Sequence, residues 1–172
     1  MGRDATRVGA IVFSENVQLV FSLDRFDSAR AVQQAISNIV YMGQTTNTPA
    51  ALTQVLTECF NTATGDRPNV QNLAVMVTDG VPYPPNRRDP AINAAAALRN
   101  SGVNMVAIGV TPVIDEAFLK QMSSPPQMKD QNYFTAADFS QLGNIIQDVV
   151  AGTCDAIVAG KKLALLIFGD LS

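Results

Sequence analysis

Leu73-Ala74-Val75-Met76-Val77-Thr78, running straight into Asp79-Gly80, is the stretch on which the architecture turns. A short, nearly uninterrupted apolar run is how a strand reads when both faces of its sheet are covered, as in parallel α/β sheets. Such sheets bind their ligands in the crevice outside the carboxyl ends of the strands. A carboxylate at the end of a buried strand is therefore placed for chemistry, and Asp79 is the first candidate. Thr46 is the second, because Gly43-Gln44-Thr45-Thr46-Asn47-Thr48 forms a polar loop just ahead of a helix. Hydroxyl and carboxylate oxygens are hard ligands that suit Mg²⁺, Mn²⁺ or Ca²⁺.

The flanking sequence supports the same architecture. Arg7 to Phe13 and Val17 to Leu23 are β-rich runs separated by Ser14-Glu15-Asn16, which predicts an antiparallel hairpin. Asp27 or Ser28 can cap a helix through about Ile39, with Val32, Ile36 and Ile39 on one face. Thr48-Pro49 reads as a capping hydroxyl followed by proline at the first helical position, and Leu52, Val55, Leu56, Cys59 and Phe60 continue an apolar stripe. Cys59 is then a small core residue and not a reactive thiol. Asp89-Pro90 opens a helix over Ala91 to Asn100 that Gly102 closes, and Val103 to Val110 is an almost uninterrupted apolar run, as expected of a second covered strand. Asp115 to Met122 reads as helix, Tyr133-Phe134 as a short strand, and Thr135 or Asp138 as the start of a last helix through about Val150. This alternation predicts a doubly wound, mostly parallel α/β sheet of Rossmann-like type, with one antiparallel edge hairpin and helices on both faces.

Composition narrows the function. With 172 residues, 47% of them apolar, the chain has material for one well-buried domain. Its 12 basic and 15 acidic residues are interspersed and sum to −3, so no basic stripe awaits phosphates and nucleic acid is not an expected partner. The absence of histidine removes Ser-His-Asp and Cys-His catalysis and every His-dependent zinc site. Phosphate loops of the GxxxxGK[ST] and GxGxxG kinds are absent, and Ala159-Gly160-Lys161-Lys162 lacks the spacing of one. Met1 to Thr6 is polar and shows no secretory h-region, although Met1-Gly2-Arg3-Asp4-Ala5-Thr6 fits the loose N-myristoylation pattern. The late apolar run Leu163 to Phe168 is far short of the roughly 20 residues of a membrane helix, so no membrane span is expected. Pro82 to Pro90 reads as an exposed connector.

Several of these pieces together resemble the von Willebrand factor type A domain, in the branch found in collagens, matrilins and integrin inserted domains. They are Thr6 to Ser14, Gly43 with Thr46-Asn47-Thr48, Val75 to Gly80, Gly102 to Val110, and the last helix ending at Cys154. The resemblance implies a non-enzymatic, extracellular protein-binding module whose partners are matrix or cell-surface proteins, collagen among them. It also implies a metal-ion-dependent adhesion site, in which Asp-x-Ser-x-Ser after the first strand, one Thr and one Asp hold a divalent cation that an acidic residue of the partner completes. On this pattern Thr46 is the threonine ligand and Asp79 the second aspartate.

The chain departs from the pattern at its start. The family's first strand and helix, with Asp-x-Ser-x-Ser, belong ahead of Thr6, so residues 1–154 read as a domain incomplete at its N-terminus and residues 155–172 as a tail. That tail runs Lys161-Lys162, Leu163 to Phe168, then Gly169-Asp170-Leu171-Ser172, which is how the missing strand would begin. Three readings of it stand open. It inserts into the vacant central slot as in a circular permutant, bringing Asp170 and Ser172 towards Thr46 and Asp79; it opens a second domain of a tandem array; or it is an appended sequence without structural meaning. Cys154 stands where family members often carry a cysteine paired with one just before the first strand, a partner not seen here; Cys59 is assigned to a helix interior, and whether it pairs with Cys154 stays open. A partial fragment of a larger protein and a doubly wound enzyme are the competing functional readings.

Overall fold

The computed structural model describes residues 6–40, 42, 45–112, 114–141 and 163–169. Among the described residues six strands form one sheet: β1 (Arg7–Phe13), β2 (Val17–Phe21), β3 (Asn72–Thr78), β4 (Asn104–Val110), β5 (Tyr133–Ala136) and β6 (Leu163–Phe168). Their spatial order is β2-β1-β6-β3-β4-β5. Only the β1–β2 hairpin is antiparallel; every other pairing is parallel. Val75 at the middle of β3 thus faces Val106 on one side and Leu166 on the other, which puts the Leu73–Thr78 run in the interior of the sheet.

The strand period divides the core in two. Ile11, Phe13, Ala74, Met76, Met105 and Ala107 point to one face, where they meet α2 (Thr48–Gln54), α3 (Arg88–Asn100) and α4 (Glu116–Met122) through Leu52, Val55, Ala91, Ala95, Leu98, Phe118 and Met122. Val75, Val77, Val106, Ile108 and Phe134 point to the other face. On that second side Ala10 and Phe21 pack against Val32 of α1 (Ala29–Ser37), with Ile36 and Ile39 beside it. Helices therefore cover both faces, as the alternation of elements predicts.

Element ends differ from the sequence reading where side chains found other partners. Ser28 caps α1 through a 3.3 Å bond from the Ala31 N–H. Thr48 lies inside α2 and not at its cap, and the cap residue Asn47 makes no side-chain capping bond, because its Nδ2 donates to the Glu15 carbonyl at 3.1 Å. The helix then widens into a π turn over Val55–Cys59. Thr53 and Thr57 donate back to the carbonyls of Pro49 and Thr53 at 2.8 and 3.0 Å, and such back-bonding loosens a helix. Asp89 sits in the first turn of α3, one residue inside its start. Of the two expected starts of the last helix, Thr135 lies inside β5 and not in a helix, and a 3-10 turn over Phe139–Gln141 follows Asp138; the rest of that helix, Cys154 and Met1 to Ala5 fall outside the described residues.

The central position that the resemblance assigns to a strand ahead of Thr6 is taken by β6. Its residues pair in step with Arg7–Val12 of β1 and with Asn72–Val77 of β3. Without it, β1 and β3 would each present an unpaired edge.

Candidate functional site

The site is assembled where β1, β6 and β3 end side by side. β3 delivers Thr78, which is buried, and then Asp79, which is half-buried. A short hydroxyl turn bends the chain there: Thr78 Oγ1 donates to the Gly80 carbonyl at 3.0 Å and accepts from the Gly80 N–H at 3.3 Å. Asp79 is thus held at the apex of the bend, at the carboxyl end of an interior strand.

The loop carrying Thr46 closes over this end. Thr46 is buried at 9% exposure, its carbonyl accepts from the Tyr83 N–H at 3.1 Å, and the next amide, Asn47 N–H, donates to the Ser14 carbonyl at 2.8 Å. The loops that bear the two predicted site residues are in this way joined through the segment that follows Asp79. Thr48 Oγ1, two residues on, is buried without a hydrogen-bond partner in the structure, an orphaned oxygen at the mouth of α2.

β6 arrives at the same place. The Gly169 N–H donates to the Val77 carbonyl at 2.7 Å. A Cβ on Gly169 would stand 3.2 Å from Phe13 Cζ, Thr78 Oγ1 and the Val77 carbonyl, so glycine permits the close approach. Asp170 and Ser172 come next in sequence and lie outside the described residues.

Two residues that the sequence reading left unmarked tie this end together. Arg87 grips Glu15 with two parallel bonds, Nη1 to Oε2 at 2.9 Å and Nη2 to Oε1 at 2.8 Å, and its Nη1 also donates to the Tyr83 carbonyl at 2.9 Å. Thr45 Oγ1 donates to Glu15 Oε2 as well. These bonds, Arg87 first, pull the Glu15 carboxyl down to a pKa of about 2. The pair spans 72 positions, and nothing local in either residue's neighbourhood signals it.

Among the described residues no three His, Cys, Asp or Glu side chains cluster tightly enough to hold a metal alone. What the site offers instead is one carboxylate and buried hydroxyls. Carboxylate and hydroxyl oxygens are hard donors of the kind that divalent cations such as Mg²⁺ and Mn²⁺ take. Cys59 lies in the core at 1% exposure, and burial pushes its thiol up to about 12.

The chain matches the family model of the von Willebrand factor type A domain over residues 1–148. Human Matrilin-4 is 36% identical over 165 residues, covering 93% of this chain and 25% of that protein. Human Collagen alpha-1(XX) chain is 34% identical over 161 residues, covering 94% of this chain and 12% of that protein. The chain therefore spans a quarter or less of these relatives. Among solved structures, proximal thread matrix protein 1 from the mussel byssus, with a zinc-occupied MIDAS motif, superposes with a TM-score of 0.77 at 25% identity, covering 90% of this chain and 38% of that one. Manganese-loaded Plasmodium vivax TRAP protein shares the fold, with a TM-score of 0.67 at 22% identity over 85% of this chain and 58% of that one.

Proposed function

The chain belongs to the von Willebrand factor type A domain family, and from that premise we propose that it is a non-enzymatic binding module for extracellular matrix proteins, collagen among its partners. The observation that carries this reading is Asp79 at the end of interior strand β3, with the Thr46 loop hydrogen-bonded to the segment that follows it. Relatives among matrilins and collagens support matrix partners and an extracellular setting. The zinc-bearing byssus protein supports a divalent cation.

In this reading Thr46 and Asp79 are ligands of a divalent cation, Mg²⁺ or Mn²⁺. A bound cation would supply a centre of positive charge on which a partner's carboxylate can close. With few protein charges around it, that charge is left largely unquenched for the incoming acid. Thr46 contributes an oxygen without charge and Asp79 a carboxylate.

The test is adhesion of the purified chain to immobilised collagens and matrilins, measured in Mn²⁺ and in EDTA. Binding in Mn²⁺ that EDTA and Asp79→Ala both abolish is the expected outcome. Binding of equal strength in EDTA would move the interface elsewhere on the domain and remove the cation from the account.

A further inference from the structure

We infer that Glu15 is a positioning residue for this site, acting through Arg87 and Thr45 to hold the Thr46 loop against the segment that follows Asp79; the inference rests on the proposed cation site. Glu15 lies in the β1–β2 turn and touches neither Thr46 nor Asp79 in any bond described above. It is nevertheless where three loops meet. Its carboxylate takes the fork of Arg87 and the hydroxyl of Thr45, and its backbone carbonyl takes the side-chain amide of Asn47. Thr45 and Asn47 are the two neighbours of Thr46, so Glu15 fixes the chain on both sides of that residue. Arg87 in turn holds the Tyr83 carbonyl at 2.9 Å, while the Tyr83 N–H reaches the Thr46 carbonyl. The circuit Glu15, Arg87, Tyr83, Thr46 and back through Thr45 closes on itself.

An exposed ion pair is ordinarily worth little to stability, and here the Glu15 and Arg87 side chains are 47% and 23% exposed. The value of this pair lies in geometry. A planar two-point grip fixes orientation as well as distance, and ligands that must meet one ion are sensitive to small displacements of the loops that carry them. Tyr83 gains from the same circuit. Its backbone is pinned at both the N–H and the carbonyl while the residue remains 60% exposed.

Glu15→Gln keeps the shape and removes the charge. Mn²⁺ binding by calorimetry is expected to weaken about tenfold, the usual scale for partners that orient metal ligands. The metal-free melting midpoint should move by no more than about 2 °C, because the pair is exposed. Hydrogen exchange of the Tyr83 and Asn47 amides should accelerate in the metal-free protein while the β3 and β4 amides hold. The reversed pair Glu15→Arg with Arg87→Glu should recover part of the affinity that either single change loses.

Asp79→Ala provides the separate control. If it abolishes Mn²⁺ binding while Glu15→Gln changes neither affinity nor exchange, the cation site stands and the inference is overturned. A weaker affinity with unchanged exchange would show that Glu15 contributes charge and not position, and faster exchange at unchanged affinity would show that the loops move without consequence; both overturn it. If the parent chain binds no Mn²⁺ at all, the cation reading fails, and faster exchange at Tyr83 and Asn47 in Glu15→Gln would still support the clamp as the device that positions these loops.

Discussion

At the scale of single residues the clearest consequence is the chemistry of Cys59. Desolvation in the core raises its thiol to about 12, with the nearby Glu58 charge adding to the effect. A thiol whose folded pKa lies above its ordinary value of 9.0 contributes stability that is fully present below pH 9 and lost as pH rises towards 12. Native protein at pH 8 treated with iodoacetamide and mapped by peptide mass should show Cys59 unmodified, and denatured protein should show it fully alkylated. Rapid native labelling would mean that the α2 face opens. Asp115 works in the opposite sense. It accepts the Phe118 N–H at 2.9 Å at the cap of α4 and pairs with Arg88, which lowers its pKa below 3.8, the capping bond contributing most. Its contribution is therefore present above the ordinary carboxylate value and lost as pH falls through the lower folded one. Asp115→Ala should cost about 1 kcal/mol in urea unfolding at pH 7, the usual worth of such a cap, and markedly less at pH 2.5. An equal loss at both pH values would refute the capping role. The place of Asp79 at the end of β3 could be read directly from sequence, because a carboxylate at the end of an apolar run needs no distant partner to be noticed. Glu15 and Arg87 could not, since their meaning exists only once three loops converge.

Among the elements, β3 and β4 were legible because strands covered on both faces write continuous apolar runs, and the hairpin because its turn is local. Helix starts were less so. Thr48-Pro49 looks like a cap and a first position, yet Asn47 gives its side chain to Glu15 and the helix begins at Thr48. The π turn over Val55–Cys59 likewise depends on which hydroxyls bond back to the helix. β6 shows the limit most plainly. Its apolar run marks a strand, but a place between β1 and β3 is a matter of which edges are free, which spacing along the chain does not encode. Because Leu165 lies between Gly9 of β1 and Ala74 of β3, Leu165→Pro would remove a ladder hydrogen bond from an interior strand. We expect a clear loss of stability, seen as a lower urea midpoint or as no cooperative transition. A variant as stable as the parent would place β6 outside the folded sheet in solution.

For the molecule as a whole, the fold was readable from its alternation of elements; of the candidate ligands, Thr46 and Asp79 stand in the described structure, and Asp170 and Ser172 lie outside the described residues. We propose that the tail, residues 155–172, belongs to the same folding unit as residues 1–154, with β6 as the strand that completes the sheet and delivers the chain to the site. A cation bound at that junction would touch only the folded state and would raise its stability by mass action. The most direct measurement is the thermal melt of the chain in EDTA and in Mn²⁺, for the parent and for Asp79→Ala. At a Mn²⁺ concentration 100 times the dissociation constant the parent should gain about 2.7 kcal/mol, and Asp79→Ala should gain nothing. A cooperative melt of the parent that Mn²⁺ leaves unmoved would contradict the proposed cation site.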